Sequence, residues 1–403
     1  MPTIEDISGC TGCTACKTVC PQQCITMVLN SEGFLHPEID ADRCTLCSMC
    51  YEVCPTRNPK PRVQNRQAYA VWSTDAATRF NSTSGGAFTQ LALSVLERGG
   101  YVAGARYGEE SHVHHDIISQ PQRLSELRQS KYVQSDKLDV YARILALVRQ
   151  GSTVMFVGTP CECAGLAQLM PESAENLILC DFICRGACSP LAYNSYLRFL
   201  EARHGSKIIR VWFKNKSLSW NQFSTRVDFE NGEVYLQDRY HDLYMRGYLE
   251  ANLFMRSCCG NCQFKGAARV SDITLADFWG VERLVPSVDT STGVSLVIVN
   301  TPRGATLLGA LAGEIECVPV DCGEALRGNP MYHESASRNP CSNDVMREIS
   351  SGVPFDRAVE PKLRKSSRGS LLSRVYAVLS RRTRRSRSHD WEDDLRSFGG
   401  MEL

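Results

Sequence analysis

The chain has 403 residues, 43% of them apolar and 22% charged, with a net charge of +1; this is the profile of a globular protein of more than one domain and gives no reason to expect nucleic acid. No stretch approaches the roughly 18 apolar residues of a membrane span, and Met1–Cys16 is too polar for a secretory leader. Twenty cysteines without an export signal read as metal ligands or free thiols in a reducing cytoplasm, not as disulfides.

Residues 1–60 hold nine of those cysteines and end at Pro55, Pro59 and Pro61. Cys10, Cys13 and Cys16 are spaced C-x2-C-x2-C and followed by Cys20-Pro21; Cys44, Cys47 and Cys50 repeat the spacing, followed by Cys54-Pro55. A cubane cluster needs four thiolates, and in this register a tight loop supplies three while the partner motif supplies the fourth. The expected sets are Cys10, Cys13, Cys16 and Cys54 for one [4Fe–4S] cluster, and Cys44, Cys47, Cys50 and Cys20 for the other. Zinc knuckles are the bland alternative, and eight cysteines in duplicated register, each run closed by Cys-Pro, weigh against them. The segment resembles bacterial-type two-cluster ferredoxins, a small α+β module. Cys24 falls outside the register and reads as a buried thiol.

Residues 66–345 alternate helix and strand. Phe88, Leu91, Ala92, Val95 and Leu96 repeat at helical spacing and predict a helix over Ala87–Arg98, stopped by Gly99-Gly100. A strand Tyr101–Ala105 follows, then a helix Leu138–Arg149, a strand Thr153–Val157, a strand Leu177–Ile183 and a helix after Pro190. Arg226–Leu236 reads as a hairpin about Asn231-Gly232, a helix ends near Arg256, and Val294–Val299 is a late strand. This alternation predicts an α/β domain with a mainly parallel sheet covered on both faces. His112, His114 and His115 read as an exposed strand or loop, with a proton donor beside a cofactor as the sharper alternative.

Cys161 and Cys184 follow two of these strands, and Cys259 and Cys262 form a CxxC. Ligands collect at the carboxyl ends of strands in open α/β sheets, so the four can meet around one more cluster. Cys163, Cys180, Cys188, Cys317, Cys322 and Cys341 read as buried thiols.

Ser84-Gly-Gly-Ala-Phe-Thr89, Ser130-Lys-Tyr-Val-Gln-Ser135, Val157-Gly-Thr-Pro-Cys161 and Cys259-Gly-Asn-Cys262-Gln-Phe-Lys-Gly266 appear in order. Ser271-Asp-Ile-Thr274, Asp277-Phe-Trp-Gly280 and Gly293-Val-Ser-Leu296 follow them. Together they resemble the coenzyme F-420 hydrogenase/dehydrogenase β-subunit family. The resemblance implies an FAD protein with a [4Fe–4S] cluster on Cys161, Cys184, Cys259 and Cys262. Two features depart from the family. Arg185 stands where it usually has histidine, and Cys258 adds a thiol beside the CxxC.

The turn Ser82–Gly86 leads into the first helix of this domain, where backbone N–H groups and the helix dipole suit a phosphate. A helix capped by Ser84 is an equally good reading of the residues alone. The resemblance implies the FAD pyrophosphate there, on Ser82, Ser84, Gly85 and Gly86, with Lys131 as a cation and Tyr132 as a stacking ring. Asp277 and Trp279 read as a structural turn with a packed indole.

Residues 346–403 are polar and basic and are expected to carry little fold. Leu371, Leu372, Val375, Val378 and Leu379 repeat at helical spacing before Arg381–Arg385. A solvated, partly disordered terminus is the preferred reading, and peripheral contact with an anionic membrane the alternative. The whole reads as a cytoplasmic oxidoreductase passing electrons between a ferredoxin-like or dehydrogenase partner and an organic acceptor through clusters and FAD. The competing reading is a non-catalytic electron-relay subunit.

Overall fold

The parallel strands at the centre of the large sheet explain where the site lies. The computed structural model describes residues 2–60, 66–171, 174–266 and 269–363; the amphipathic and arginine-rich stretch expected in the tail lies outside them. Met1–Lys362 forms one compact unit.

In the N-terminal module β1 (Ile25–Leu29) and β2 (Leu35–Ile39) pair antiparallel, flanked by short helices Ala15–Val19 and Met49–Glu52. Its core is largely thiols: Cys13, Cys16, Cys24, Cys50 and Cys54 pack with Ile4, Ile25 and Val53.

The strands that follow are β3 (Gln67–Ser73), β4 (Tyr101–Tyr107), β5 (Val113–Ile118), β6 (Val154–Gly158), β7 (Leu177–Phe182), β8 (Ile208–Asn215), β9 (Ser224–Phe229), β10 (Val234–Asp238), β11 (Ile273–Asp277), β12 (Ser295–Val299) and β13 (Ile315–Val320). Eight build one sheet in the order β13-β3-β12-β11-β7-β6-β4-β5, and β10-β9-β8 forms a separate antiparallel sheet. The large sheet is mixed rather than mainly parallel. The β4-β6-β7-β11 centre is parallel, while β5, β12, β3 and β13 join antiparallel.

Residues on a strand alternate between two cores. Met155 of β6 packs with Leu91, Val95 and Val102 under the Ala87–Leu96 helix. Val154 and Phe156 face the other way, onto Ile144 of the Val140–Arg149 helix and Leu166 of the Pro160–Gln168 helix. Burial on both faces is why these strands read as unbroken apolar runs.

Three expectations change. The helix expected to end near Arg256 spans Leu243–Leu249, and Met255 instead bridges Cys188. Of the three histidines expected on an exposed strand or loop, His112 is exposed and His114 half-buried, but His115 is buried and stacks on Phe156 at 5.2 Å. Residues 346–362, expected to carry little fold, contain the Phe355–Val359 helix and the end of Ser342–Ser350. Met346, Ile349 and Phe355 there are buried, and Phe355 packs on Tyr196 at 5.4 Å. Apolar residues at helical spacing outweigh the polar average of that stretch.

Candidate functional site

The structure brings Cys54 to the first three thiols. Cys10 and Cys54 both act electrostatically on Cys13 and Cys16, and burial is the main force raising those two thiols, Cys13 to about 12. Burial also raises Cys10, but the His36 hydrogen bond and the Arg256 charge outweigh it and leave that thiol low. Cys20 lines a cavity of about 20 Å³ with Cys44, Cys47 and Cys50. Cys24 lines it too, 3.4 Å from Cys20 Sγ, and burial holds it up at about 11. Register alone gave Cys24 no place in this set; its nearness comes from the strand β1 that follows it. Among the described residues no three His, Cys, Asp or Glu converge on a site for a single metal ion.

The carboxyl ends of β6, β7 and β11 open onto a cavity of about 760 Å³. Cys161 sits in the first turn of the Pro160–Gln168 helix after β6, and Cys184 just beyond β7. The 3₁₀ turn Ser257–Asn261 delivers Cys258 and Cys259, and Cys262 closes it. All five thiols line the cavity. Cys259 acts on Cys161, Cys184 and Cys262 alike, whereas Cys258 acts on Cys259 and is itself acted on by Cys161. A hydrogen bond from Cys258 holds Cys259 at about 7 against its burial, while burial lifts Cys184 to about 12. Lys265 donates to Cys184 O at 2.5 Å and Met331 O at 2.7 Å, placing a cation beside the set. Arg185 also lines the cavity, and its guanidinium donates to Leu249 O and Asn252 Oδ1, each at 2.9 Å.

The same cavity reaches the turn before the Ala87–Leu96 helix, with Ser82, Ser84 and Gly86 on its wall. Gly86, at φ +97°, is the N-cap and offers no side-chain acceptor, so Ser84 is not the cap. Ser84 Oγ donates to Val294 O at 2.7 Å instead. Gly85 faces the sheet and does not line the cavity: a Cβ there would stand 2.7 Å from Ser295 N and against Val71 O. Its N–H already donates to Ser295 Oγ at 3.0 Å. The turn is pinned from below by Lys216 Nζ, which donates to Ser84 O (2.6 Å), Arg79 O (2.7 Å) and Thr292 O (2.7 Å). Lys216 follows β8, far from the turn in sequence, and no local pattern flags it. Burial lowers its pKa to about 7.

Lys131 and Tyr132 line the cavity as well. Lys131 Nζ donates to Arg128 O at 2.6 Å and Glu126 O at 3.3 Å, and burial followed by the Arg106 charge brings it down to about 7. Tyr132 packs against Phe213 at 5.7 Å and Tyr248 at 5.4 Å.

Sequence reasoning missed a buried polar network beside Cys161. Thr159 and Glu162 form a capping box, and Glu162 pairs with buried Lys137. Burial would raise the Glu162 carboxyl, but Lys137 outweighs it and the pKa stays at about 2. The capping-box pattern Thr-x-x-Glu was the available signal. His115 completes the network, with Nδ1 2.7 Å from Ser135 Oγ and Nε2 3.2 Å from Val157 O. Burial lowers it to about 4, so it is neutral at pH 7 and a poor proton donor. Trp279 stacks on Trp220 at 4.7 Å, and Asp277 pairs with Lys214. Cys163, Cys180 and Cys188 are buried thiols; Cys317 is exposed on the edge strand β13.

Residues 151–321 match the family model for the C terminus of the beta subunit in coenzyme F420 hydrogenase/dehydrogenase. Over those residues the chain is similar to the C-terminal part of that β subunit. Residues 9–58 match the 4Fe-4S dicluster domain, so the N-terminal module is an iron–sulfur module. With its 4Fe-4S dicluster module the chain is an iron–sulfur electron-transfer protein. No curated protein is a match. A solved structure of the F420-reducing [NiFe] hydrogenase complex from Methanosarcina barkeri is similar at 16% identity, over 75% of this chain and 92% of that chain, with a TM-score of 0.45. No described helix is long and apolar enough to cross a membrane.

Proposed function

We propose that the chain is a flavin-dependent oxidoreductase that carries electrons between a ferredoxin-like protein partner and an organic acceptor. Its carriers are the two N-terminal [4Fe–4S] clusters, a third on Cys161, Cys184, Cys259 and Cys262, and FAD. One observation carries this reading. A single cavity of about 760 Å³ has the thiol set on one wall, the Ser82–Gly86 turn and Lys131 on another, and Ser8, Gly9 and Thr11 of the first cysteine loop at its rim. Its size suits a dinucleotide cofactor.

The residues fit both groups. Four thiols from the ends of two parallel strands and one CxxC loop face a common space, with Lys265 beside them to offset thiolate charge. The Ala87–Leu96 helix presents its N-terminus without a side-chain cap, which leaves donors for a pyrophosphate. A bound flavin supplies the exchange between one-electron and two-electron transfers. The protein's part is to hold the groups in order. Ser8, Gly9 and Thr11 bring the first cysteine loop to the cavity, and the third thiol set lines it together with the residues proposed for the flavin.

Anaerobically purified protein should contain iron and sulfide for three clusters and one flavin per chain. Cys161→Ala should remove roughly a third of the iron, one cluster of three. Lys131→Ala should cost on the order of 1.5–3 kcal/mol of FAD affinity, tenfold or more, when FAD is titrated into deflavinated protein. Iron for only two clusters and no flavin would leave an electron-relay subunit and sink this proposal.

A further inference from the structure

The first cysteine loop is tied to the large domain by one side chain. Arg256 directly precedes the turn that carries Cys258 and Cys259. It is buried, and reaches into the N-terminal module. Its Nε donates to Cys10 O at 2.8 Å, one Nη to Leu35 O at 3.0 Å, and the other lies 3.7 Å from Cys10 Sγ. The guanidinium sits over the Phe34 ring at 5.3 Å. A planar fork with donors in fixed directions can hold a carbonyl pair and a sulfur at once, which an ammonium cannot. No carboxylate pairs with Arg256 among the contacts described, so its charge acts on the thiolates around it.

We propose that Arg256 is a positioning residue for electron transfer. It clamps the first cysteine loop against the third thiol set, and its charge raises the reduction potential of the cluster on Cys10, Cys13, Cys16 and Cys54. The inference rests on the proposed electron path. Reduction adds one negative charge to a cluster, and a nearby cation or a hydrogen bond to a ligand sulfur stabilises the added charge. Around the second cysteine set the guanidinium of Arg43 donates to Gln22 O at 2.7 Å rather than to a thiol; the hydrogen bond to Cys44 Sγ comes from Leu46 N–H at 3.5 Å, and Cys47 is exposed. Arg256 therefore separates two clusters whose sequence motifs are alike.

The test is an EPR-monitored redox titration of the full chain, wild type against Arg256→Gln and Arg256→Lys, with iron measured in each. The first cluster is identified by the signal that Cys54→Ala removes. In Arg256→Gln the first cluster's midpoint should fall by about 59 mV, a tenfold change for one electron, while the second stays put. Arg256→Lys keeps the charge without the fork, and its midpoint should lie between those of Arg256→Gln and wild type. Loss of iron from the first cluster alone in Arg256→Gln would support the clamp, and Arg256→Lys would then carry the charge test. An unchanged midpoint in Arg256→Gln would overturn the proposal, as would an equal fall of both N-terminal clusters. So would an Arg256→Lys midpoint as low as that of Arg256→Gln, or loss of all the clusters at once. Wild-type iron content tests the electron path itself, and the variants' midpoints test Arg256.

Discussion

Two loops of the N-terminal module share one motif and one backbone. Gly12 and Thr14 in the first, and Leu46 and Ser48 in the second, all hold positive φ, at +71°, +72°, +55° and +62°. Their surroundings differ. A Cβ at Gly12 would stand 2.8 Å from Leu35 O and 3.0 Å from the Arg256 guanidinium, and against Gln134. At the matching position Leu46 is 51% exposed. Glycine stands at position 12 because another part of the chain packs there, not because the loop conformation alone demands it. Equal spacing gave equal loops, and tertiary packing gave them different partners.

The largest effects should come from breaking the thiol sets. Cys54→Ala should cost the first cluster, and Cys20→Ala the second, each with roughly a third of the iron. Cys54→Ala should leave the second cluster reducible by a small-molecule reductant but cut it off from the cavity. The reverse pattern by EPR, with Cys20→Ala erasing the first signal, would mean that the fourth ligands do not cross.

Exchanging the matched positions sharpens the comparison at lower cost. Gly12→Leu forces a side chain against Leu35, Gln134 and Arg256 and should destabilise by about 1–3 kcal/mol. Leu46→Gly relieves a left-handed leucine on an open surface, and its effect should stay within about 1 kcal/mol. Thermal melts of the two variants should therefore move by different amounts, with the larger fall in Gly12→Leu. Equal falls would show that φ, not packing, sets the residue at this position.

The two loops also mark the limit of what sequence discloses. The iron–sulfur character of the N-terminal module was legible because each loop carries three thiols within seven residues, a local pattern with a fixed geometry. The central strands were legible as apolar runs, and their carboxyl ends marked Cys161 and Cys184 in advance. The antiparallel flanks β3, β5 and β13 were not, since strand direction depends on partners far away in sequence. Arg256, Lys216 and Gln134 were missed for the same reason: each acts across an interface that no periodicity encodes. The role of Gly85 was misread. Its glycine answers to Val71 and Ser295 in the sheet, while Gly86 faces the cavity.

The smallest predicted effect concerns the cavity wall that only the first loop adjoins. Burial lowers Lys131 and Lys216 to about 7 in the folded chain, well below the value of about 10.4 expected when unfolded. Between those values the unfolded chain binds more protons than the folded one, so stability rises with pH from about 7 towards 10. Below 7 both states carry the charge, the burial cost is met in full, and the slope vanishes. Deflavinated protein should therefore melt at a higher temperature at pH 9 than at pH 7. Lys131→Met removes one of the two groups and should shrink that rise by about half. Adding pyrophosphate to wild type should also flatten the rise, because an anion beside Lys131 favours its charged form and raises its folded pKa towards the unfolded value. A rise that survives Lys131→Met in full would mean that Lys131 keeps its proton in the fold, and that the slope belongs to Lys216 and other groups.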